Sequence, residues 1–196
     1  MNKKILLAVG IFTAFAFNVN AWEFKPYAGI DMGWSQADID KLEDRTGYFD
    51  LDNDFFVVSI NAGAKFNKFF GVETSILSSS NAETEYTFED VRLSYTSAGI
   101  DAVGYVPLYK DKFELFGTAG FAYHYMKMEV ERYWGWGWGK RTITKNESQF
   151  APRIGAGFQY NMNSNFSFRA LVRHTFIDHK YVDSLTEVIT GVRYNF

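Results

Sequence analysis

The sequence predicts an all-β protein: an eight-stranded antiparallel up-and-down transmembrane β-barrel. Three observations lead to this class. Apolar and polar residues alternate with period two along most of the chain, and the connections between the alternating stretches are long and short in turn. Aromatic residues make up 19% of the 196 residues, more than a soluble core needs. Beyond residue 21 no apolar run reaches the roughly 20 residues of a membrane-spanning helix, so only a closed barrel could cross.

The first 21 residues have the pattern of a secretory signal peptide. Lys3 and Lys4 form a positive segment, the apolar run ILLAVGIFTAFAF follows, and the small-residue sequence VNA ends at Ala21. The apolar run is too short to span a bilayer. We therefore expect export with cleavage after Ala21, and one barrel domain over 22–196. The chain has no cysteine, so disulfides contribute nothing to its stability.

Eight alternating stretches predict the strands, in order along the chain. They cover 22–34, 53–66, 69–79, 91–108, 112–130, 147–160, 165–177 and 184–196. The connections are long at 35–52, 80–90 and 131–146, tight at 67–68, 109–111 and 161–165, and intermediate at 178–183. This alternation is typical of outer-membrane barrels, which have short periplasmic turns and longer outer loops.

One face of each of the first three strands carries no charge. This face comprises Phe24, Pro26, Ala28, Ile30, Met32, Phe56, Val58, Ile60, Ala62, Ala64, Phe66, Phe70, Val72, Thr74 and Ile76. Aromatic residues gather near the strand ends, as two girdles at the membrane boundaries would. A soluble barrel would instead crowd these rings into a lumen that eight strands barely leave wide enough to fill. The apolar face is therefore predicted to meet lipid.

The opposite face carries six acidic and six basic residues in this register. They are Glu23, Asp31, Glu73, Asp101, Glu114 and Glu187, with Lys25, Lys65, Arg153, Arg169, Arg173 and Arg193. Charges removed from water must be paired, so we expect an interior salt-bridge network. Strand adjacency suggests two pairs, Glu114 with Arg153 and Arg173 with Glu187. A structural core is favoured over a functional gate because eight strands close tightly.

Four segments carry a resemblance to a known family: FNKFFGVETSI, GYVPLYKDKFELFGTAGFAYHY, RIGAGFQYNMNSNFSFRALVRHTF and the closing GVRYNF. Together they resemble the OmpA-type and OmpX-like eight-stranded barrels of the Gram-negative outer membrane, which include opacity-type porin-like surface proteins. The resemblance implies a bacterial outer-membrane location and a C-terminal assembly signal for the barrel assembly machinery. Val192, Tyr194 and Phe196 match that signal.

The resemblance further implies a non-enzymatic protein that contributes to outer-membrane integrity and presents its outer loops for surface interaction or adhesion. The expected partners are outer-membrane lipids, lipopolysaccharide and a host or cell-surface ligand, and the expected state is a monomer. A narrow or gated small-solute pore is the alternative. A net charge of -3 gives no reason to expect nucleic acid as a partner.

Catalysis, a metal site and a cofactor are not expected. Some barrels of this size modify lipid A with serine and histidine, and His174 lies on the lipid-facing set near the outer rim. A nucleophile must lie within hydrogen-bonding reach of its base, however, and the nearest following serine is Ser184. His124 is predicted to point inward and join the polar core.

The stretch RYWGWGWGKR is the candidate surface contact loop. Period two continues on both sides of it, so strands five and six are expected to extend outward as a projecting hairpin with these glycines at its tip. Its tryptophans could anchor in the headgroup zone or form a contact patch beside two cations. The residues concerned are Trp134, Trp136, Trp138, Lys140 and Arg141.

Overall fold

The computed structural model describes residues 24–38, 53–85, 89–108, 112–133, 140–177 and 182–196. Nine strands occur in these ranges: β1 (Lys25–Asp38), β2 (Asp54–Lys65), β3 (Phe70–Ser79), β4 (Ala82–Glu85), β5 (Glu89–Leu108), β6 (Phe113–Tyr133), β7 (Lys140–Asn161), β8 (Phe166–Phe176) and β9 (Ser184–Asn195). In this part of the chain no helix is long and apolar enough to cross a membrane.

The strands form one closed antiparallel ring with eight walls. Neighbours in sequence pair with each other, and the ring closes between β1 and β9. β3 and β4 make up a single wall because both pair with β5. Ser78 lies opposite Thr96 but Ala82 lies opposite Leu93, so the β3–β4 side carries one extra residue between them, as in a β-bulge.

The ring is strongly staggered. Following the paired residues around it from Tyr27 leads through Glu73 on β3, Asp101 on β5 and Arg153 on β7, and returns to β1 at Ala37, ten residues beyond the start. With eight strands this stagger corresponds to a strand tilt of about 40°. The interior is consequently narrow, and side chains fill it.

Side chains alternate between the two faces of the ring as the sequence pattern predicts. On β2 every second residue from Phe55 to Gly63 is buried, and those between them are exposed. Trp34, Ile60, Phe70 and many other large apolar residues lie on the outer face with a third or more of their surface exposed. Between the two aromatic borders the charged side chains of the described ring lie on the buried face, so this part of the barrel is apolar outside and polar inside.

Three segments predicted as long connections contain strand residues: 35–52, into which β1 continues as far as Asp38, 80–90 and 131–146. The segment 80–90 was expected to be a loop, but it contains β4, because Ser79 and Ser80 supply side-chain hydrogen bonds across the bulge. The Ser79 hydroxyl accepts from the Tyr95 N–H at 2.8 Å, and the Ser80 hydroxyl accepts from the Phe56 N–H at 3.1 Å. The segment 131–146 was expected to be a long connection built as a projecting hairpin, and the hairpin is confirmed: most of its residues belong to β6 and β7.

Candidate functional site

A hydrogen-bonded cluster of charged residues fills the middle of the barrel, and Arg169 lies at its centre. Arg169 donates to both carboxylate oxygens of Asp31, with 2.8 Å between Nε and Oδ1. Its Nη1 donates to both oxygens of Glu73, at 2.9 and 3.0 Å. All three side chains are at least 98% buried. One guanidinium from β8 thus joins carboxylates from β1 and β3 across the lumen.

Arg193 extends this cluster towards the tight-turn end. It donates to Glu73 and, at 2.9 Å, to the side-chain oxygen of Gln159. Its guanidinium carbon lies 4.4 Å from the ring centre of Tyr27, whose hydroxyl also donates to Glu73 at 2.9 Å. Glu73 therefore accepts from three side chains of three different strands, which holds those strands in register.

Two further ion pairs lie beside this cluster. Arg153 donates to Asp101 through Nε at 2.9 Å and through Nη2 at 2.6 Å. The same Nη2 donates to Ser75 at 3.0 Å. Nearer the tight-turn end, the Lys65 ammonium lies 2.5 Å from a carboxylate oxygen of Glu114. Both pairs join strands that are not neighbours in the ring, so they cross the lumen.

The fourth ion pair lies nearer the long-loop end. Arg173 on β8 donates through Nε to Glu187 on β9 at 2.5 Å. The Tyr95 hydroxyl donates to the other oxygen of Glu187 at 3.0 Å. Tyr95 also packs edge-on against Phe55, with ring centres 5.5 Å apart. This tyrosine joins the charged cluster to the apolar residues above it.

Inward-facing glycines give the guanidinium groups their space. A Cβ added to Gly99 would lie 2.5 Å from the guanidinium carbon of Arg153. A Cβ on Gly191 would lie 2.1 Å from a carboxylate oxygen of Asp31. Real Cβ atoms do not approach other atoms this closely, so these ion pairs require glycine at the facing positions.

Ten of the twelve predicted interior charges have their side chains in this buried cluster, five acidic and five basic. Lys25 does not, because it lies at the rim and its side chain is exposed. Glu23 lies outside the described residues. The proposed pair of Glu114 with Arg153 is wrong. Glu114 lies opposite Gln159, near the tight turns, whereas Arg153 lies six residues before Gln159 on β7, nearer the long-loop end. The proposed pair of Arg173 with Glu187 forms.

An apolar plug closes the long-loop end above the charged cluster. Its residues are Ala37, Phe55, Val57, Leu77, Ala82, Val91, Leu93, Met126, Met128, Val130, Ala151, Ile177, Val182 and Leu185. Most of them continue the inward-facing rows that carry polar or charged residues deeper in the barrel. The polarity of the interior therefore reverses towards this end.

On the outward face of β5, β6 and β7 the polarity changes in the opposite sense: it goes from apolar to polar towards the long-loop end. On β6 the exposed aromatics Tyr123 and Tyr125 are followed by Lys127 and Glu129, which form a 2.6 Å ion pair. On β7 the exposed Phe150 is preceded by a run of polar residues. The outward residues of that run are Thr142, Thr144, Asn146 and Ser148. This part of the three strands has the pattern of a sheet in water and not in lipid.

The projecting sheet is the name used below for β4 together with residues 89–94 of β5, 127–133 of β6 and 140–148 of β7. β7 pairs with β8 only from Arg153 onward, so residues 140–152 run about 40 Å of strand past the last β8 pair. Over these residues β7 pairs with β6, and no described strand pairs with its other edge. The sheet contains an ion pair that the sequence analysis did not include, Arg92 with Glu131 at 3.5 Å. The sequence signal for this extension of β6 was the period-two alternation, which continues between residues 127 and 133 and so includes Glu131.

The candidate contact loop is described only at its margins. Lys140 and Arg141 lie in the first two positions of β7, and β6 ends at Tyr133. Trp134, Trp136 and Trp138 lie outside the described residues. Because β6 and β7 are paired up to Tyr133 and Lys140, the loop joins the far end of the projecting sheet.

The outer face between the two ends suits lipid. Aromatic contacts mark both borders, with Trp34 on Phe56 at 5.9 Å towards the loops and Phe113 on Tyr160 at 4.8 Å towards the turns. Outward-facing threonines bond to the backbone of the neighbouring strand. Thr74, for example, donates to the Gly99 carbonyl at 3.0 Å. Such bonds leave no hydroxyl proton unsatisfied in hydrocarbon.

The two histidines in the described ranges, His124 and His174, do not form a catalytic arrangement. His174 faces outward, and its Nδ1 lies 2.9 Å from the Thr186 hydroxyl. Its ring packs edge-on against Phe176 at 4.7 Å. His124 faces inward and is 1% exposed. In the described ranges no group of three or more His, Cys, Asp or Glu side chains could hold a metal ion.

The family model for the outer membrane protein beta-barrel domain matches residues 5–196. The chain belongs to this family. The family places the barrel in the bacterial outer membrane, with its tight turns towards the periplasm and its long loops outside the cell. No curated protein sequence matches significantly.

Solved structures share this outer-membrane barrel fold. Ail, the attachment invasion locus protein of Yersinia pestis, crystallised in complex with the heparin analogue sucrose octasulfate, aligns with a TM-score of 0.60 at 20% identity, over 89% of this chain and 99% of that one. Neisserial surface protein A aligns with a TM-score of 0.57 at 15% sequence identity, over 88% of this chain and 97% of that one. OprG from Pseudomonas aeruginosa aligns with a TM-score of 0.52 at 13% sequence identity, over 87% of this chain and 95% of that one.

The C-terminal strand closes this outer-membrane barrel. Phe196 donates its N–H to the Pro26 carbonyl at 3.1 Å, and its ring packs edge-on against Tyr194 at 5.1 Å. Val192, Tyr194 and Phe196 all face lipid, and Phe196 is 72% exposed. These side chains are available to a binding partner at the periplasmic rim. Their role as an assembly signal stays a prediction, as does cleavage after Ala21.

Proposed function

We propose that this protein is a non-enzymatic surface barrel that contributes to outer-membrane integrity and presents its projecting sheet to ligands outside the cell. The observation that carries the proposal is the reversal of polarity along β5, β6 and β7. Over β5 and β6 this sheet has a polar outer face and an apolar inner face, the pattern of a sheet in water, and it extends far past the aromatic border of the membrane. A protein that served only as a membrane plug would gain nothing from this extension.

The interior supports a structural role and not transport. Four ion-pair groups occupy the lumen, three of which cross it, and the apolar plug covers them on the extracellular side. Moving a hydrated ion through would require breaking buried pairs, each costing several kcal/mol. A narrow or gated pore is therefore the less favoured function. Planar-bilayer recording of the refolded protein should show no steady conductance, and discrete openings would favour the pore.

Sulfated or phosphorylated sugars are the ligands to test first. The structure of Ail contains a heparin analogue, so anionic sugars are a suitable probe for a barrel of similar fold. The projecting sheet of this chain carries Lys145, which is exposed, and ends at Lys140 and Arg141. Guanidinium and ammonium groups bind sulfate and phosphate oxygens with charge-assisted hydrogen bonds. Flat tryptophan rings beside them could stack on sugars.

The test is binding of proteoliposomes that carry the protein to immobilised heparin and to lipopolysaccharide. The variant Lys140→Ala/Arg141→Ala/Lys145→Ala should weaken binding at low salt, and Lys112→Ala at the periplasmic end should not. Replacing all three tryptophans with serine separates stacking from charge. Unaltered binding in both multiple variants, with normal heat-modifiable folding, would contradict the proposed role of the projecting sheet.

A further inference from the structure

A row of polar side chains crosses the outer wall on the half of the ring that does not belong to the projecting sheet. Its members are paired directly from one strand to the next: His174 on β8, Thr186 on β9, Gln36 on β1 and Asp54 on β2. His174 is half-buried and the other three are exposed. The row two residues nearer the membrane centre is wholly apolar and consists of Val172, Val188, Trp34 and Phe56. The outer wall thus changes from apolar to polar within one step of the strands.

This polar row begins inside the aromatic border. The exposed ring of Phe176 packs edge-on against His174 at 4.7 Å and lies two residues nearer the long loops on β8. With a strand tilt of about 40°, two residues correspond to about 5 Å along the membrane normal. The imidazole therefore lies nearer the membrane centre than the Phe176 ring. Gln36 follows Trp34 by two residues on β1, at the level of the border, so the row runs from the upper acyl region into the headgroup zone.

Two side chains of this row have polar atoms without a protein partner in the described ranges. His174 makes one side-chain hydrogen bond, between its Nδ1 and the Thr186 hydroxyl at 2.9 Å, and neither its Nε2 nor the Gln36 amide hydrogen-bonds to a described residue. The hydroxyl of Thr190, lower on the same face, instead donates to the Arg169 carbonyl at 3.0 Å. Polar groups that face lipid are costly unless they are hydrogen-bonded. The partner of this row must therefore come from the membrane.

The row requires a guest that both donates and accepts hydrogen bonds. If Thr186 donates to Nδ1 of a neutral His174, Nε2–H is left as a donor and the hydroxyl oxygen as an acceptor. If Nδ1–H donates instead, Nε2 is left as the acceptor and the hydroxyl as the donor. Gln36 offers both kinds of group as well. The ester carbonyls of a phospholipid only accept, whereas a hydroxyl or a secondary amide does both.

The charge above the row does not favour a phosphate contact. Asp38 is exposed and lies opposite Ser184, one step nearer the long loops. A carboxylate at this position repels an anion, so neutral amide and hydroxyl groups suit the row better than phosphate.

We propose that this row binds an amide-linked hydroxyacyl chain of the outer-leaflet glycolipid, that is, of the lipid A part of lipopolysaccharide. The amide and hydroxyl groups lie on His174, Thr186 and Gln36, and the acyl chain continues over the apolar row below them. The site lies on the opposite wall from the projecting sheet, and it does not depend on ligand binding by that sheet.

The test is native mass spectrometry of the refolded protein in detergent micelles, titrated with lipid A or with cardiolipin. Cardiolipin also has two phosphates and several acyl chains, but all its chains are ester-linked. Two hydrogen bonds of about 1 kcal/mol each correspond to at least about a tenfold difference in affinity, so lipid A should bind the intact protein at least about tenfold more tightly than cardiolipin. His174→Leu/Gln36→Leu should lower lipid A affinity by at least about the same factor and leave cardiolipin affinity unchanged.

A matched pair of variants on β9 separates the row from the rest of the lipid-facing wall. Thr186→Val should weaken lipid A binding, whereas Thr190→Val should not, because its hydroxyl is bonded to the backbone. Heat-modifiability checks that each variant is folded. Unchanged lipid A affinity in folded His174→Leu/Gln36→Leu would overturn the proposal, as would equal affinity of the intact protein for the two lipids or an equal loss in Thr190→Val.

Heparin binding distinguishes this site from the one proposed on the projecting sheet. His174→Leu/Gln36→Leu should bind immobilised heparin as the intact protein does, whereas Lys140→Ala/Arg141→Ala/Lys145→Ala should lose heparin binding and keep the preference for lipid A over cardiolipin. Loss of that preference in the lysine and arginine variant would overturn the assignment of lipid A to the polar row.

Discussion

Replacing Arg169 with leucine removes the guanidinium that joins β1, β3 and β8. Asp31 then loses both of its charge-assisted hydrogen bonds and keeps the Asn61 amide, which donates at 2.9 Å. Glu73 is affected less, because Arg193 and the Tyr27 hydroxyl still donate to it. The main consequence is a carboxylate at Asp31 that is buried without a cation in contact.

The expected loss is about 3 to 5 kcal/mol of unfolding free energy, the range for removing one partner of a buried ion pair and leaving the other charge buried. Removing the stranded charge as well should recover part of the loss. Asn in place of Asp31 is neutral and still accepts from Asn61. The double variant Arg169→Leu/Asp31→Asn should therefore cost at least about 1 kcal/mol less than the sum of the two single variants.

Urea unfolding of the refolded protein in lipid bilayers, followed by tryptophan fluorescence, measures these differences as midpoint shifts at constant slope. Lys145→Ala, on the exposed projecting sheet, serves as the control and should change stability by less than about 0.5 kcal/mol. A loss of unfolding free energy below about 1 kcal/mol in Arg169→Leu would refute the burial of this charge inside the barrel. Equal losses in Arg169→Leu and Lys145→Ala would refute it as well. Additive losses in the double variant would refute the pairing with Asp31.

Three further outcomes are expected. Gly99→Ala should destabilise the barrel by about 1 to 3 kcal/mol because the new methyl group collides with a guanidinium, whereas Gly104→Ala on the same strand has open space and should be neutral in the same urea assay. Arg173→Ala should cost about 3 to 5 kcal/mol by stranding a carboxylate, and a loss no larger than that of an exposed lysine would count against this. Deleting Phe196 should lower outer-membrane levels on immunoblots without blocking export, whereas Phe70→Ala, also lipid-exposed near the periplasmic rim, should not.

The division into a lipid face and a charged face follows from the sequence because strand geometry places alternate residues on opposite sides. Trp34 and Phe56 illustrate this: both occupy the charge-free register, and both are exposed on the outer face. Strand ends are harder to predict. The polar run from Ser78 to Asn81 resembles a loop, yet its hydroxyl groups support a bulge that lets the wall continue as β4.

The contacts inside the barrel depend on register, which period two alone does not determine. A strand can slide by two residues and keep the same faces, while every cross-strand partner changes. Glu114 consequently pairs with Lys65, three walls away around the ring, and not with Arg153. The position of His124 opposite Gln149 depends on the same register. Its inward orientation follows from the sequence.

The central claim is that the barrel crosses the outer membrane with its projecting sheet outside the cell and its tight turns in the periplasm. The natural chain has no cysteine, so single cysteines can be labelled cleanly. A membrane-impermeant maleimide applied to intact cells should label Thr144→Cys, and it should label Ser164→Cys only after the outer membrane is permeabilised. Labelling of Ser164→Cys in intact cells, with Thr144→Cys protected, would contradict this account.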